Sequence, residues 1–462
     1  MIRSRLFHWD KSLSSITNSA GTISLFPLAT SLILEVLLNT LPGTINTMVL
    51  SAYSETAVAA VGAANQVLTL FNLFFNSIVL GTMVVLSNCI GAEAVEEGRK
   101  ISFSALFTCG VISAVILPLL YIFSKPLLIL MNLTGTLLEQ ALLYFRIRVF
   151  FLAVTGATSV LLTILKCYGH PKFTVFVGLT ANLLNLLFTA VVVFFPQYSP
   201  VQGVAGIAYA FGFAQIAGLA LAACIFCRMQ LKWRIPDSVR ALFGYGSRIL
   251  KIGFPTALSG TMCLFSGTVN TAIMASIGEY ALTANVYFSN ILSYAYLFSN
   301  GLGNANSILV GRLYGAGEHE RANRANRQLI KLTVPINVVF SLLLFLFRYQ
   351  LVRIFTNDPL IVSLSFGVFA VDLLAEQARA ISQIYEYALR ATGDVMFSAI
   401  TFGISVWVLS IGLGYVLAIP CKLGLLGCWI GVAVDEIFRA VVSLLRWKSG
   451  AWKKRKFNEI TA

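Results

Sequence analysis

The chain has 462 residues, of which 58% are apolar and only 11% charged, and its mean hydropathy is +0.83. Soluble globular proteins carry about 25% charged residues, so water cannot be the solvent for most of this surface. The formal net charge of +14 does not mark a nucleic-acid binder, because the basic residues fall in short pieces between apolar runs, the pattern that orients membrane helices.

Residues 1–23 lack the apolar core and small-residue cleavage site of a signal peptide. The first membrane helix is therefore expected to act as its own insertion signal. A span needs about 20 mostly apolar residues. In chain order the predicted spans are 24–50, 57–89, 101–123, 138–165, 173–195 and 203–227, then 250–275, 281–311, 329–347, 360–389, 396–418 and 424–445. The longest of these predict tilt or bending. None alternates as a transmembrane β-strand does.

With the N-terminus placed in the cytoplasm, 25 of the 33 Lys and Arg residues fall on cytoplasmic pieces. The outer loops hold Lys125, Arg348, Arg353 and Lys422, and the spans hold Arg146, Arg148, Arg379 and Arg439. The positive-inside rule then predicts a multi-pass inner-membrane protein with both termini cytoplasmic.

A shift of 224 residues aligns the chain with itself. Asn46-Thr47 falls on Asn270-Thr271, Glu55 on Glu279, Gly91-Ala92 on Gly315-Ala316, and Leu165, Gly169 and Phe173 on Leu389, Gly393 and Phe397. A shift of 221 then aligns Gly203-x-x-Gly206 with Gly424-x-x-Gly427. The predicted fold is an all-α membrane protein with twelve transmembrane helices in two pseudo-symmetric six-helix bundles. Six spans per half make the repeats parallel, the arrangement of transporters that rock one half against the other around a midplane site. The layout is a cytoplasmic segment 1–23, an N-lobe 24–227, a cytoplasmic linker 228–249, a C-lobe 250–445 and a basic tail 446–462.

Charged and amide side chains inside spans are costly and mark functional candidates. The first span carries Glu35 and, past Pro42, Asn46. Pro42 has no N–H, which frees the carbonyl of Leu38. Together these groups suit a cation or proton, or Asn46 bonds a neighbouring helix. The tenth span carries Asp372, Glu376, Arg379 and Glu386. Glu376 and Arg379 share a helix face and form either a structural ion pair or a solute site. Coupling candidates are Glu35, Asn46, Asp372 and Glu376. Cleft candidates are Asn65, Gln66, Asn72, Asn185, Thr189, Asn270, Asn290 and Arg379; interhelical bonding is the alternative role of the amides. Arg146, Arg148, Asp435 and Glu436 lie closer to helix ends, where arginines snorkel. Cys224 and Cys227 read as small apolar packing residues rather than a metal or redox pair.

Several stretches resemble the multidrug and toxic compound extrusion (MATE) family: INTMVLSAYSETAVAAVG, PTALSG after Gly253-Phe254, SILVGRLYGAGEHERANRAN from Ser307, ALRATGD from Ala388, and LKCYGHPKF. The resemblance covers nearly the whole chain. It implies two six-helix lobes and antiport, in which an organic cation or drug leaves as Na⁺ or H⁺ enters. Four positions depart from the family pattern. Asn46 stands where an Asp is common, Ser31 where a Pro is usual, and Thr189 where some subgroups have an acid. The seventh span offers only neutral groups around Cys263.

The expected function is secondary active export of an amphipathic or cationic drug, or of a dedicated natural product. The alternatives are a flippase for a lipid-linked precursor and a non-transporting membrane assembly protein. No enzymatic activity, cofactor, metal beyond a Na⁺ site, or nucleic-acid partner is expected. The expected partners are the solute and the bilayer, and the expected state is a monomer.

Overall fold

A computed structural model describes residues 15–18, 21–24, 27–38, 55–131, 133–229, 231 and 233–454. Asn46 and Pro42 lie outside these residues. Apart from two four-residue strands, β1 (Ser15–Asn18) and β2 (Gly21–Ser24), the regular structure is helical. In lipid only helices and closed barrels satisfy every backbone group internally, and long apolar runs without alternation take the first solution.

The helices of the first half are α1 (Pro27–Leu38), α2 (Glu55–Gly91), α3 (Val95–Ile122), the short α4 (Ser124–Ile129), α5 (Gly135–Cys167), α6 (Pro171–Phe194) and α7 (Gly203–Arg228). Those of the second half are α8 (Val239–Ile277), α9 (Glu279–Gly315), α10 (His319–Leu346), the short α11 (Arg348–Arg353), α12 (Pro359–Ala391), α13 (Val395–Ser405), a π-helical segment (Val406–Leu413), α14 (Gly414–Ala418) and α15 (Leu425–Lys448). Adding 224 to the bounds of α2, α3, α4 and α5 gives the bounds of α9, α10, α11 and α12, residue for residue. The duplication is thus written into helix boundaries as well as residue matches. Gly169 and Gly393, one repeat apart, both turn the chain at positive φ, +93° and +81°, where a Cβ is disfavoured.

Nine helices among the described residues are long and apolar enough to cross a membrane by length and composition. Two further predicted spans form helices of sufficient length but greater polarity. Asparagines and serines lower the hydropathy of α9, and α15 carries Asp435, Glu436 and Arg439. Of the first predicted span, 27–38 is described and helical.

Contacts divide the chain into two compact units between Ala257 and Leu258, two residues beyond Pro255 within α8. In the first unit α5 packs against α2, α3 and α7, and α6 against α7. The first part of α8 crosses α2 on small residues: a Cβ on Gly81 would meet the backbone of Ile249, and one on Gly253 the carbonyl of Ser77. The segment before α8 is tied to α3 by Lys100 Nζ and Asp237 Oδ2 at 2.6 Å and by Arg234 with Glu96. The hydrogen bond from Lys100 holds the Asp237 carboxyl below its ordinary range.

In the second unit α12 is central, packed on α9, α10 and α15. Its start is fixed by the Asp358 carboxylate, which accepts the Leu360 N–H at 2.8 Å, and by Pro359 in the first turn; both are strong helix-start signals. Phe288 of α9 meets Phe369 of α12 edge-on, ring centroids 5.6 Å apart, in a core shared with Leu292, Val368 and Cys428.

Candidate functional site

In the first unit the polar groups of α1 are answered by its neighbours. Lys166 at the end of α5 donates to Glu35 Oε1 at 2.8 Å, and the Thr174 hydroxyl lies 3.4 Å from Oε2. The Leu38 carbonyl accepts from Asn182 Nδ2 at 2.8 Å. Glu35 is thereby a paired carboxylate. Asn185 and Thr189 are buried, with the Thr189 hydroxyl 3.5 Å from Asn185 Oδ1. Asn65 accepts from the Tyr144 hydroxyl at 3.2 Å. Asn72 is half-buried and Gln66 exposed.

The second unit is built differently. Within it a cavity of about 590 Å³ is lined by Asn270 and Thr271 of α8, Ser289 and Tyr296 of α9, Asp372 and Arg379 of α12, and Trp429 of α15. Its size falls in the range of small-molecule sites. Three candidates read from the sequence, Asn270, Asp372 and Arg379, meet in this one cavity. Asn290 does not; it is exposed and outside the lining.

Asp372 is 1% exposed, and neither of its carboxylate oxygens has a hydrogen-bond donor among the described residues. Asn270 Oδ1 is likewise buried without a donor. Unsatisfied acceptors in one cavity favour a cation or a proton, because a buried carboxylate without a partner is strongly disfavoured.

Behind Asp372 lies a network of charges. Arg379 pairs with Glu376 and, through Nε, with Glu436 Oε1 at 2.9 Å. Arg439 reaches Glu436 at 2.6 Å, Asp435 at 3.1 Å and Glu386 at 3.7 Å, and Arg390 reaches Glu386 at 3.3 Å. Five carboxyl groups, counting Asp372, thus face three guanidinium groups. Asp435 and Glu436 are not interfacial, contrary to their expected position near a helix end; with Arg439 they are buried and paired with side chains of α12. The inward stripe of α15 places Asp435, Glu436 and Arg439 on one side at helical spacing, and that spacing was the signal available in the sequence. Cys224 and Cys227 also depart from expectation. They are exposed on α7 rather than packed, and no cluster suited to a metal occurs among the described residues.

A duplicated helical bundle crossing the membrane, with buried charged side chains and a cavity carrying polar groups within one repeat, defines a membrane transporter. The chain belongs to the MatE family, whose profile matches residues 31–191 and 255–416. It is 31% identical over 432 residues to the "Uncharacterized transporter YisQ" of Bacillus subtilis, covering 93% of this chain and 95% of that one. It is 29% identical to the "Probable multidrug resistance protein NorM" of Thermotoga maritima, covering 91% of each. The fold matches an outward-facing multidrug resistance MATE family transporter of the MOP superfamily with a TM-score of 0.86 at 19% identity, over 96% of this chain and 98% of that one.

Proposed function

We propose that the protein is a secondary active exporter that moves an amphipathic, cationic solute out of the cytoplasm by alternating access, with Na⁺ or H⁺ entering in exchange at Asp372. One observation carries the reading: a buried carboxylate without a donor among the described residues, in the wall of a cavity that also presents Asn270, Thr271 and Ser289. A carboxylate held so pays no penalty once a proton or cation arrives, and occupancy then changes the charge of the lobe. The surrounding network, four carboxylates against three guanidinium groups, works in the same direction. Relatives named as probable multidrug resistance proteins support an organic solute. Glu35 serves as a structural partner of Lys166 in this scheme, and the inner membrane with both termini cytoplasmic is its setting. A flippase for lipid-linked precursors calls for several free basic groups to meet phosphates, and the arginines buried in the second unit, Arg379, Arg390 and Arg439, are all engaged by carboxylates.

The test is dye flux in proteoliposomes under separately imposed Na⁺ and pH gradients. Wild type should move a labelled cationic dye under one of them, and Asp372→Asn should lose the gradient dependence. No flux under either gradient, or a variant as well coupled as wild type, refutes the reading. Asn46→Asp, run beside them, asks whether a carboxylate in the first span changes the ion used.

A further inference from the structure

The repeat places Arg148 opposite Asp372, since 148 plus 224 is 372. A search for identities between the halves passes over this position because the two residues differ in charge. Its surroundings repeat as well. Asn65 corresponds to Ser289 by the same shift, and Phe211 corresponds to Val432 by the shift of 221. Ser289, Asp372 and Val432 all line the cavity of the second unit. The first unit therefore carries, at the equivalent place, a cation where the second carries an anion.

The local geometry fits an anion. The Arg148 guanidinium stands 3.3 Å from the ring centroid of Phe211 and 5.8 Å from that of Tyr144. Tyr144 is 4% exposed, and its hydroxyl is held by Asn65. Gln140, Tyr144 and Arg148 follow at intervals of four and so share one face of α5. Arg148 Nε is buried and bonds nothing, and no carboxylate pairs with the guanidinium among the described residues. Arg148 lies thirteen residues into α5 and Phe211 eight residues into α7, about 20 and 12 Å along the helices.

Arg146, two residues away, shows how an arginine without such a role is settled. Its Nε reaches Ser124 Oγ at 3.2 Å beside the ring of Tyr121, at the junction of α3 and α4. Arg148 is not settled in this way. Aromatic faces attract a guanidinium, but they leave its planar fork of N–H donors unused, and that fork matches a carboxylate.

We propose that Arg148, with Tyr144, Asn65 and Phe211, forms an anion subsite in the first unit that takes the carboxylate of the transported solute. The solute is then zwitterionic, an aromatic or amphipathic body bearing both a basic group and a carboxylate. Phe211 supplies a flat apolar face beside the guanidinium, which suits a carboxylate attached to a ring. This assignment rests on the exporter reading for the word "transported", while binding itself does not require it.

The experiment compares tetramethylrhodamine, which has a free carboxylate, with its methyl ester. Binding to the purified full chain in detergent is read by fluorescence polarisation. Wild type should favour the acid. Arg148→Gln should weaken the acid about tenfold or more, the scale of one charged hydrogen bond, and change the ester by less than about twofold. Arg148→Lys should keep part of the preference. Should Arg148→Gln not fold, the unaltered protein still decides: benzoate should displace the acid dye and benzamide should not. Equal losses for both dyes, no change for either, or equal competition by benzoate and benzamide overturns the subsite. Binding needs no gradient, so absent flux with intact acid preference counts against export alone.

Discussion

Arg379 of α12 reaches across to α15, where its Nε donates to Glu436 Oε1 at 2.9 Å, while the same guanidinium also pairs with Glu376 on its own helix. One cation thus holds two buried carboxylates and joins two helices. Removing one member of a buried ionic cluster leaves charge without compensation, at a cost of about 3–5 kcal/mol. Arg379→Met should therefore lower the thermal unfolding temperature in detergent sharply. Adding Glu376→Gln should recover part of the loss, because Arg379 is the cation of Glu376 while Glu436 keeps Arg439 at 2.6 Å. Strictly additive losses in the double variant would show that the pairing of Arg379 with Glu376 is not energetic.

The helices and the duplication were largely legible in the sequence. Long apolar runs can satisfy their backbones in lipid only as helices, and the 224-residue shift that matched Gly169 to Gly393 also reproduces the helix bounds. The pairing of charges was less legible. Glu376 with Arg379 could be read because three residues along a helix fix their neighbourhood. Glu35 with Lys166 and Arg379 with Glu436 could not, because spacing along one helix does not say which helix it faces. Asp435 and Glu436 are buried although they lie closer to a helix end, because distance from a helix end is a poor guide to depth when helices run past the bilayer.

Glu93 has φ of +57° without being a glycine, while Gly317 occupies the same place in the second repeat at +74°. The left-handed conformation costs a residue with a Cβ about 1–2 kcal/mol. Glycine relieves this but loses about 0.5–1 kcal/mol in backbone entropy. Glu93→Gly should stabilise the protein by roughly 0.5–1 kcal/mol on these figures, visible as a higher unfolding temperature. A lower one would mean that the Glu93 side chain contributes more than its backbone strain removes.

Trp452, in the turn after α15, is 1% exposed. It stacks on Trp447 with ring centroids 4.2 Å apart and donates from Nε1 to the Trp447 carbonyl at 2.9 Å. His319 and Tyr314 close the other sides, and Trp447 in turn donates to Asn323. The turn is therefore part of the second unit's core. Trp452→Ala should destabilise by about 3–5 kcal/mol, the usual cost of deleting a large buried aromatic. Trp452→Phe, which keeps the stack but loses the N–H, should cost much less. Comparable losses for the two would assign the effect to the hydrogen bond instead of packing.

Glu35 separates structural from coupling carboxylates. Lys166 donates to it at 2.8 Å and is itself largely buried, so Glu35→Gln strands an ammonium and Lys166→Met strands a carboxylate. Each single variant should lose stability, and the Glu35→Gln/Lys166→Met pair should regain much of it, since a buried ion pair is often replaceable when both charges leave together. Flux in the double variant should retain the ion dependence of wild type, because among the described residues Asp372 has no donor whereas Glu35 has Lys166. Should the double variant fold normally yet transport without regard to Na⁺ or pH, coupling would belong to the first unit, and the role given to Asp372 would pass to Glu35.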